Sequence, residues 1–358
     1  MAGSAMERLV DVLRSSQADA FLVNSVVSRH YLTGFRAGDG ALLITKDGAE
    51  LLMDSRYIEA AQQEARNCTV LLFSRLYETL RERLAAHNVK TLMIEQSNTS
   101  LAQWDALRKQ LPNITLINSP VLDEAIERLR MIKTPEQLAS LRRAQKITED
   151  GFAHMLNFLR PGITERDAAL EMEFFMRKQG AERVAFEFIV VTGEKTSMPH
   201  GVPGDKVIRR GDFVTMDTGV VIDGMHSDMT RTVAIGEVND EQRKVYEIVR
   251  KAQETAIAAV HAGVACKAVD DAARDVIKAA GYGDYFGHST GHGIGFQVHE
   301  APNFSPMSTA IAEPNMVLSV EPGIYLPGRF GVRIEDLVCV TENGCEDLTH
   351  ANKELIIL

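Results

Sequence analysis

The chain has 358 residues, with 39 basic and 49 acidic side chains and a formal net charge of −10. This length predicts about two domains and enough chain to bury a large core. The acidic balance, without a Lys/Arg-rich run, argues against nucleic acid or an anionic membrane as partner, and no apolar run reaches the ~20 residues of a membrane span.

The cysteines are too scattered to form a recognisable metal or disulfide pattern. CxxC spacing is absent among Cys68, Cys266, Cys339 and Cys345. Neither a zinc knuckle nor a disulfide framework is therefore predicted, and a reducing cytoplasm is the expected compartment.

The first part of the chain, residues 6–121, alternates helical segments with short apolar runs. A helix is predicted over residues 6–17, and the predicted strands lie at 20–23, 41–45, 50–53, 69–73 and 91–95. This alternation predicts a smaller α/β domain with a mixed or parallel sheet. Proline and asparagine near residues 112–120 interrupt the pattern and predict a domain boundary after residue 121.

The second part, residues 122–358, has a different pattern that predicts an α+β domain. Thr134 is the predicted N-cap of a helix that runs to about residue 159, and Thr164 is the predicted N-cap of a helix that ends near Gly180. Two more helices are predicted at 240–261 and 267–280, and strands follow each helix pair. This repetition suggests an internal duplication with a site between the two halves.

The stretch 212–235 predicts a β-hairpin that carries two carboxylates. Asp223-Gly224 is a favoured two-residue turn, because both central positions need positive φ. In the resulting register Asp217 faces Thr230, and Gly219 faces Asp228 without adding a side chain there. Asp217 and Asp228 then share one face, with Cβ atoms roughly 7–8 Å apart. That spacing suits metal ions held between two carboxylates.

The last third of the chain supplies three further metal-ligand types. His292 lies in GHSTGHGIG, Glu321 follows a strand-like run, and Glu335 lies in the apolar run 332–340, so both glutamates are expected in regular structure. Together with the two aspartates they form an oxygen-rich set suited to Mn, Co, Fe or Zn, and too large for one ion. Four buried carboxylates would be balanced by two divalent cations.

These segments resemble the motifs of the pita-bread metallopeptidases, which include Xaa-Pro aminopeptidase, prolidase and methionine aminopeptidase. The resemblance rests on MDTG, SDMTRT, STGHGIG, VHE, EPGIY and VRIED, and spans most of residues 130–341. NSVVSRHYLTGF and LLMDSRY also resemble the creatinase-like front domain of the Xaa-Pro branch. The resemblance implies an α+β fold in which a pita-bread catalytic domain follows a smaller α/β domain.

The resemblance also implies roles for the five ligands and a set of partners. Asp217 is expected to chelate the first ion, His292 and Glu321 the second, and Asp228 and Glu335 to bridge both. The expected cofactors are two divalent ions, Mn, Co or Zn. The family's front domain commonly packs beside a neighbouring catalytic domain, so a homodimer is expected.

Four residues are expected to act in catalysis. His200 in SMPHG and His299 in QVHE match family positions that flank the metal centre and contact the scissile carbonyl or its neighbour. Glu321 is the candidate to carry a proton to the leaving nitrogen. Arg333 shares strand parity with Glu335, so its guanidinium is expected to point to the site and orient a ligand or a substrate terminus.

One position departs from the family pattern. Relatives often have a tyrosine two residues before the serine of the SD motif, where this chain has Met225, followed by His226. His226 shares a strand face with Asp228, and we expect it to be partly exposed at the pocket mouth.

The expected function is hydrolysis of the Xaa-Pro bond at the amino end of short proline-containing peptides, by an aminopeptidase or a dipeptidase. A creatinase-like amidinohydrolase shares the fold without these metals, and a methionine-type aminopeptidase shares the metals without the front domain. Some relatives are binding modules. The complete ligand set argues against the first and third alternatives, and the front domain argues against the second.

Overall fold

The structure is a computed structural model that describes residues 4–36 and 38–358. The chain divides into two compact units, Met1–Arg130 and Met131–Leu358. The predicted boundary after residue 121 stays a prediction. Across the described ranges, no helix combines the length and apolar character that a membrane crossing requires.

The front unit is built on a six-stranded mixed sheet with the order β4-β3-β2-β1-β5-β6, in which β2 runs antiparallel to its neighbours. Its strands are β1 Ala20–Val23, β2 Gly40–Thr45, β3 Gly48–Met53, β4 Thr69–Leu72, β5 Thr91–Ile94 and β6 Thr115–Ile117. Its helices are α1 Ala5–Ser15, α2 Val26–Thr33, α3 Ile58–Glu64, α4 Leu76–Ala86, α5 Leu101–Gln110 and α6 Val121–Met131. The predicted mixed α/β layer is therefore confirmed, whereas α2, β6 and α6 had no counterpart among the predicted elements.

The second unit contains two helix pairs, each followed by strands. The helices are α7 Pro135–Phe158, α8 Glu165–Lys178, α9 Asp240–Ala258 and α10 Cys266–Ala279. The strands of the first half are β7 Arg183–Val184, β8 Ile189–Thr192, β9 Phe213–Thr218, β10 Val220–Ile222, β11 Met225–His226 and β12 Met229–Ala234. The strands of the second half are β13 Gly291–Gly293, β14 Glu300–Phe304, β15 Val317–Val320, β16 Gly323–Leu326, β17 Phe330–Arg333, β18 Asp336–Thr341 and β19 Gly344–Asp347.

Local sequence explains where α7 and α8 begin. Thr134 and Thr164 accept hydrogen bonds from the backbone amides of Gln137 and Asp167, and both residues complete capping boxes, as predicted. In α9 the buried residues recur at helical spacing, so the helix presents one apolar face. Helices α7 and α8 cover one group of strands, and α9 and α10 cover the other.

The central hairpin has the predicted register but is interrupted at Gly219, close to Asp217 and Asp228. Asp223 and Gly224 have φ of 50° and 78°, as the predicted turn requires. Asp217 pairs with Thr230, also as predicted, but Gly219 separates β9 from β10. A Cβ at Gly219 would lie 1.9 Å from the carbonyl oxygen of Ser227. Glycine is therefore required by a close approach of two backbones, beyond the predicted need for open space.

Candidate metal centre

Strand ends carry the five predicted ligands into one region of the second unit. Asp217 lies in β9, Asp228 directly precedes β12, and His292 is the middle residue of β13. Glu321 directly follows β15, and Glu335 lies in the break between β17 and β18. The prediction that both glutamates belong to regular structure is therefore wrong, because the apolar runs that contain them are interrupted at the site.

The imidazole of His292 lies beside two of the carboxylates. Its Nε2 is 3.3 Å from Glu321 Oε1 and 3.7 Å from Asp228 Oδ2. Ligand atoms of Asp228, His292 and Glu335 all lie within 4.8 Å of one another. Nδ1 of His292 is 3.1 Å from the carbonyl oxygen of Gly293, so Nδ1 carries the proton. The lone pair of Nε2 is then free to bind a cation.

In two of the carboxylates, one oxygen accepts a hydrogen bond and the other oxygen has no partner. Arg333 donates to Asp217 Oδ2 at 2.5 Å, and Thr230 donates to Glu335 Oε2 at 2.7 Å. Their second oxygens, Asp217 Oδ1 and Glu335 Oε1, are buried without a hydrogen-bond partner, as is Asp228 Oδ1. Thr230 also accepts from Arg333 Nε at 3.0 Å, which joins the two supporting groups.

Burial of these acids changes their proton affinity. Burial raises the pKa of Asp228 and of Glu335 well above the usual range, and the neighbouring carboxylates raise both further. Burial likewise raises the pKa of Glu321 to about 7. The protein alone therefore does not stabilise all of these carboxylates as anions.

The donor set fits divalent cations. Unsatisfied buried carboxylate oxygens are costly unless a cation or a proton meets them, and here three such oxygens belong to residues that line one cavity with His292. Carboxylate and imidazole ligands together suit Mn, Co or Zn. These residues therefore form a candidate metal centre.

The candidate centre lies in a cavity of about 580 Å³ that also receives His200, His299 and Arg333. The ring of His299 meets His292 edge-on, with ring centroids 4.3 Å apart. Partial burial, followed by the nearby His292, lowers the pKa of His299. A neutral imidazole here can donate one proton to a bound oxygen. All eight predicted site residues therefore line one cavity.

Sequence reasoning missed the groups that support Arg333. His288 donates from Nδ1 to the carbonyl oxygen of Ser289 at 2.8 Å, so its Nε2 accepts from the Tyr325 hydroxyl at 2.9 Å. The hydroxyl oxygen in turn accepts from Arg333 Nη1 at 2.9 Å. Burial lowers the pKa of His288 to about 4. The signal was present in the sequence, because both residues lie within the motifs that contain His292 and Glu321.

His226 does not lie at the pocket mouth, so that prediction is wrong. The side chain is only 4% exposed. Its backbone amide and Nδ1 both donate to the carbonyl oxygen of Gly295, at 2.9 and 2.8 Å, and Arg183 approaches Nε2 to 3.2 Å. His226 therefore ties the hairpin to the loop between His292 and His299.

Comparisons with known proteins agree with this architecture. Residues 139–342 match metallopeptidase family M24, and residues 6–132 match the creatinase/prolidase N-terminal domain. The chain is 36% identical over 354 residues to the Xaa-Pro dipeptidase of Pyrococcus furiosus, with 98% of this chain and 99% of that protein covered.

Solved structures show the same similarity over the full length. The Xaa-Pro dipeptidase from Bacillus anthracis superimposes with a TM-score of 0.95 at 39% identity, and 99% of each chain is covered. An X-Pro aminopeptidase from Thermotoga maritima superimposes with a TM-score of 0.92 at 36% identity, also with 99% of each chain covered. The predicted two-domain pita-bread architecture is confirmed.

Proposed function

Because the chain belongs to metallopeptidase family M24, we propose that it is a metal-dependent exopeptidase that hydrolyses the Xaa-Pro bond at the amino end of short peptides. The observation that carries this proposal is the cluster of ligand atoms of Asp228, His292 and Glu335 within 4.8 Å of one another, in a cavity whose carboxylates have three unsatisfied, buried oxygens. The names of the relatives, Xaa-Pro dipeptidase and X-Pro aminopeptidase, support the choice of substrate.

We assign two divalent ions, Mn, Co or Zn, to this centre. Asp217 would hold one ion, His292 and Glu321 the other, and Asp228 and Glu335 would bridge them. Such ions lower the pKa of a bound water from 15.7 to about 7 and polarise a carbonyl group. Arg333 and Thr230 would keep the ligand oxygens of Asp217 and Glu335 turned to the ions, because each binds the opposite oxygen.

The remaining chemistry belongs to residues of the cavity. Glu321 would carry a proton from the attacking water to the leaving nitrogen, which matters here because the nitrogen of an Xaa-Pro bond has no hydrogen of its own. His299 and His200 would donate to the substrate carbonyl oxygen as it gains negative charge. The acidic centre would receive the free amino group of the first residue, so the enzyme would act at the amino end.

We further propose that the protein is a cytoplasmic homodimer. All four cysteines are free, which suits a reducing compartment. The dimer is proposed from the front domain, which the sequence resemblance links to packing beside a neighbouring catalytic domain. Light scattering at micromolar concentration should give twice the chain mass, and a monomer would refute the proposal.

Three peptides test the activity. With manganese or cobalt added, the purified protein should hydrolyse Ala-Pro or Ala-Pro-Ala and leave Met-Ala-Ser intact. The ratio of the first two rates assigns it as dipeptidase or aminopeptidase, and turnover of Met-Ala-Ser alone would assign it to the methionine branch. Glu335→Ala should lose metal and activity together, and full activity in metal-free protein would refute the metal-dependent mechanism.

A further inference from the structure

The position of His200 is set by the backbone of its loop. We call residues 193–204 the His200 loop; it follows β8 and begins with the 3₁₀ turn Gly193–Ser197. Within the described part of the chain, the exposed imidazole of His200 has no hydrogen-bond partner. The contacts that hold the backbone of this loop therefore determine where the imidazole lies.

One buried carboxylate binds both ends of the His200 loop. Glu165, the first residue of α8, is fully buried. Its Oε1 accepts from the amide of Thr192 at 2.9 Å, immediately before the loop. Its Oε2 accepts from the amide of Gly204 at 3.0 Å, at the end of the loop, and from Lys195 Nζ at 2.6 Å. Three donors thus converge on a group that only accepts.

The middle of the same loop is bound to β17, the strand that directly precedes the segment with Glu335. The amide of Gly331 donates to Thr196 Oγ1 at 2.8 Å, and Arg333 Nη1 donates to the carbonyl oxygen of Pro199 at 3.2 Å. Arg333 also binds Asp217. With its ends held by Glu165 and its middle by β17, the loop has a fixed position relative to the candidate ligands.

We propose that Glu165 is a positioning residue that fixes His200 over the metal centre by holding both ends of its loop. The inference rests on the proposed function, because it gives His200 a role at the substrate carbonyl. Among the described residues, the side chain of Glu165 is hydrogen-bonded to Thr192, Lys195 and Gly204, and none of these three lines the cavity, so it acts through the loop. Its ionised form is the one that accepts all three hydrogen bonds.

Glu165→Gln tests this role with little change in volume. The substitution should break at least one of the three hydrogen bonds, because the amide NH₂ must face at least one of the three donors. In the metal-loaded protein, amide hydrogen exchange over residues 192–204 should rise at least about tenfold, while metal content stays at the wild-type value. Glu171→Gln is the matched control on the same helix, since Glu171 pairs with His154 instead. Unchanged exchange over the loop would overturn the proposal. If Glu165→Gln does not fold, Glu165→Asp, which keeps the charge but shortens the reach, provides the same test.

A double-mutant cycle shows whether the effect passes through His200. With whichever of Ala-Pro and Ala-Pro-Ala the wild type hydrolyses faster, Glu165→Gln should lower kcat about 10- to 100-fold, and should lower it no further when His200 is already alanine. Losses that multiply in the double variant would overturn the positioning role. If His200→Ala alone retains the wild-type kcat, the catalytic assignment of His200 fails, and hydrogen exchange still decides whether Glu165 holds the loop.

Discussion

At the scale of single residues, the cavity contains two sets of groups, the candidate metal ligands and the two imidazoles that are proposed to serve the substrate. The five candidate ligands meet through strand ends, and several of their oxygens are held by hydrogen bonds. The imidazoles of His200 and His299 are exposed to the cavity and are not among the ligands. Removing a ligand should therefore affect metal content, whereas removing either imidazole should affect turnover.

His200→Ala and His299→Ala should each lower kcat about 10²- to 10³-fold and leave the metal content unchanged, because a positioned donor is lost without a ligand. Atomic absorption on the dialysed proteins, and steady-state kinetics with whichever of Ala-Pro and Ala-Pro-Ala the wild type hydrolyses faster, measure both quantities. A variant that turns over substrate at the wild-type rate would show that its imidazole has no catalytic role.

His288 should make the protein sensitive to acid. Its folded-state pKa of about 4 lies below the ~6.5 of an unfolded histidine, so the unfolded state binds its proton first as the pH falls. The stabilising contribution is fully present above pH ~6.5 and is lost as the pH falls through 4, by about 3 kcal/mol in total. The difference in unfolding free energy between the wild type and His288→Gln should show this slope, because the buried acids of the site contribute equally to both proteins. Urea unfolding of both metal-free proteins between pH 4 and 7.5 measures it. Parallel curves for both proteins would contradict the prediction.

At the scale of elements, local sequence specified much of the site. The Asp223-Gly224 turn set the hairpin register, and the threonine caps set the starts of α7 and α8. Alternation of apolar residues could not reveal the breaks at Gly219 and Glu335, because the apolar pattern continues through them. Those breaks depend on contacts with distant backbone, such as the amide of Glu335 donating to the carbonyl oxygen of Thr230.

Gly219→Ala should open the hairpin at its metal-binding end, because the new Cβ would lie 1.9 Å from the Ser227 oxygen and displace the neighbouring Asp228. We expect a loss of about 1–3 kcal/mol in unfolding free energy and weaker metal binding. Gly344→Ala is the control, since its Cβ would meet nothing within 4 Å. Equal stability and equal metal affinity in both variants would show that the hairpin absorbs the side chain.

At the scale of the whole molecule, the protein alone does not balance the charges of the candidate metal centre. Asp228 and Glu335 are buried among other acids, and their raised pKa values show that folding without cations is unfavourable for their charged forms. Residues far apart in the chain provide this environment, so the sequence motifs predicted the ligand set and its burial but not the hydrogen bonds of Thr230 to Glu335 and Arg333. The stability of the protein should therefore depend on metal more strongly than on any single contact.

Glu335→Gln should stabilise the metal-free protein but reduce the stability that the protein gains from metal. In chelator-treated protein at pH 8 it replaces one of several crowded carboxylates with a neutral group, so the variant should melt above the wild type. With manganese at 100-fold its Kd, the wild type should gain about 2.7 kcal/mol for each ion bound, whereas the variant should gain less because a ligand is missing. Calorimetry with and without chelator measures both effects. Glu346→Gln, which removes a surface pair with Arg142, should shift both states equally. A chelator-treated Glu335→Gln protein that melts below the wild type would show that this carboxylate does not destabilise the metal-free fold.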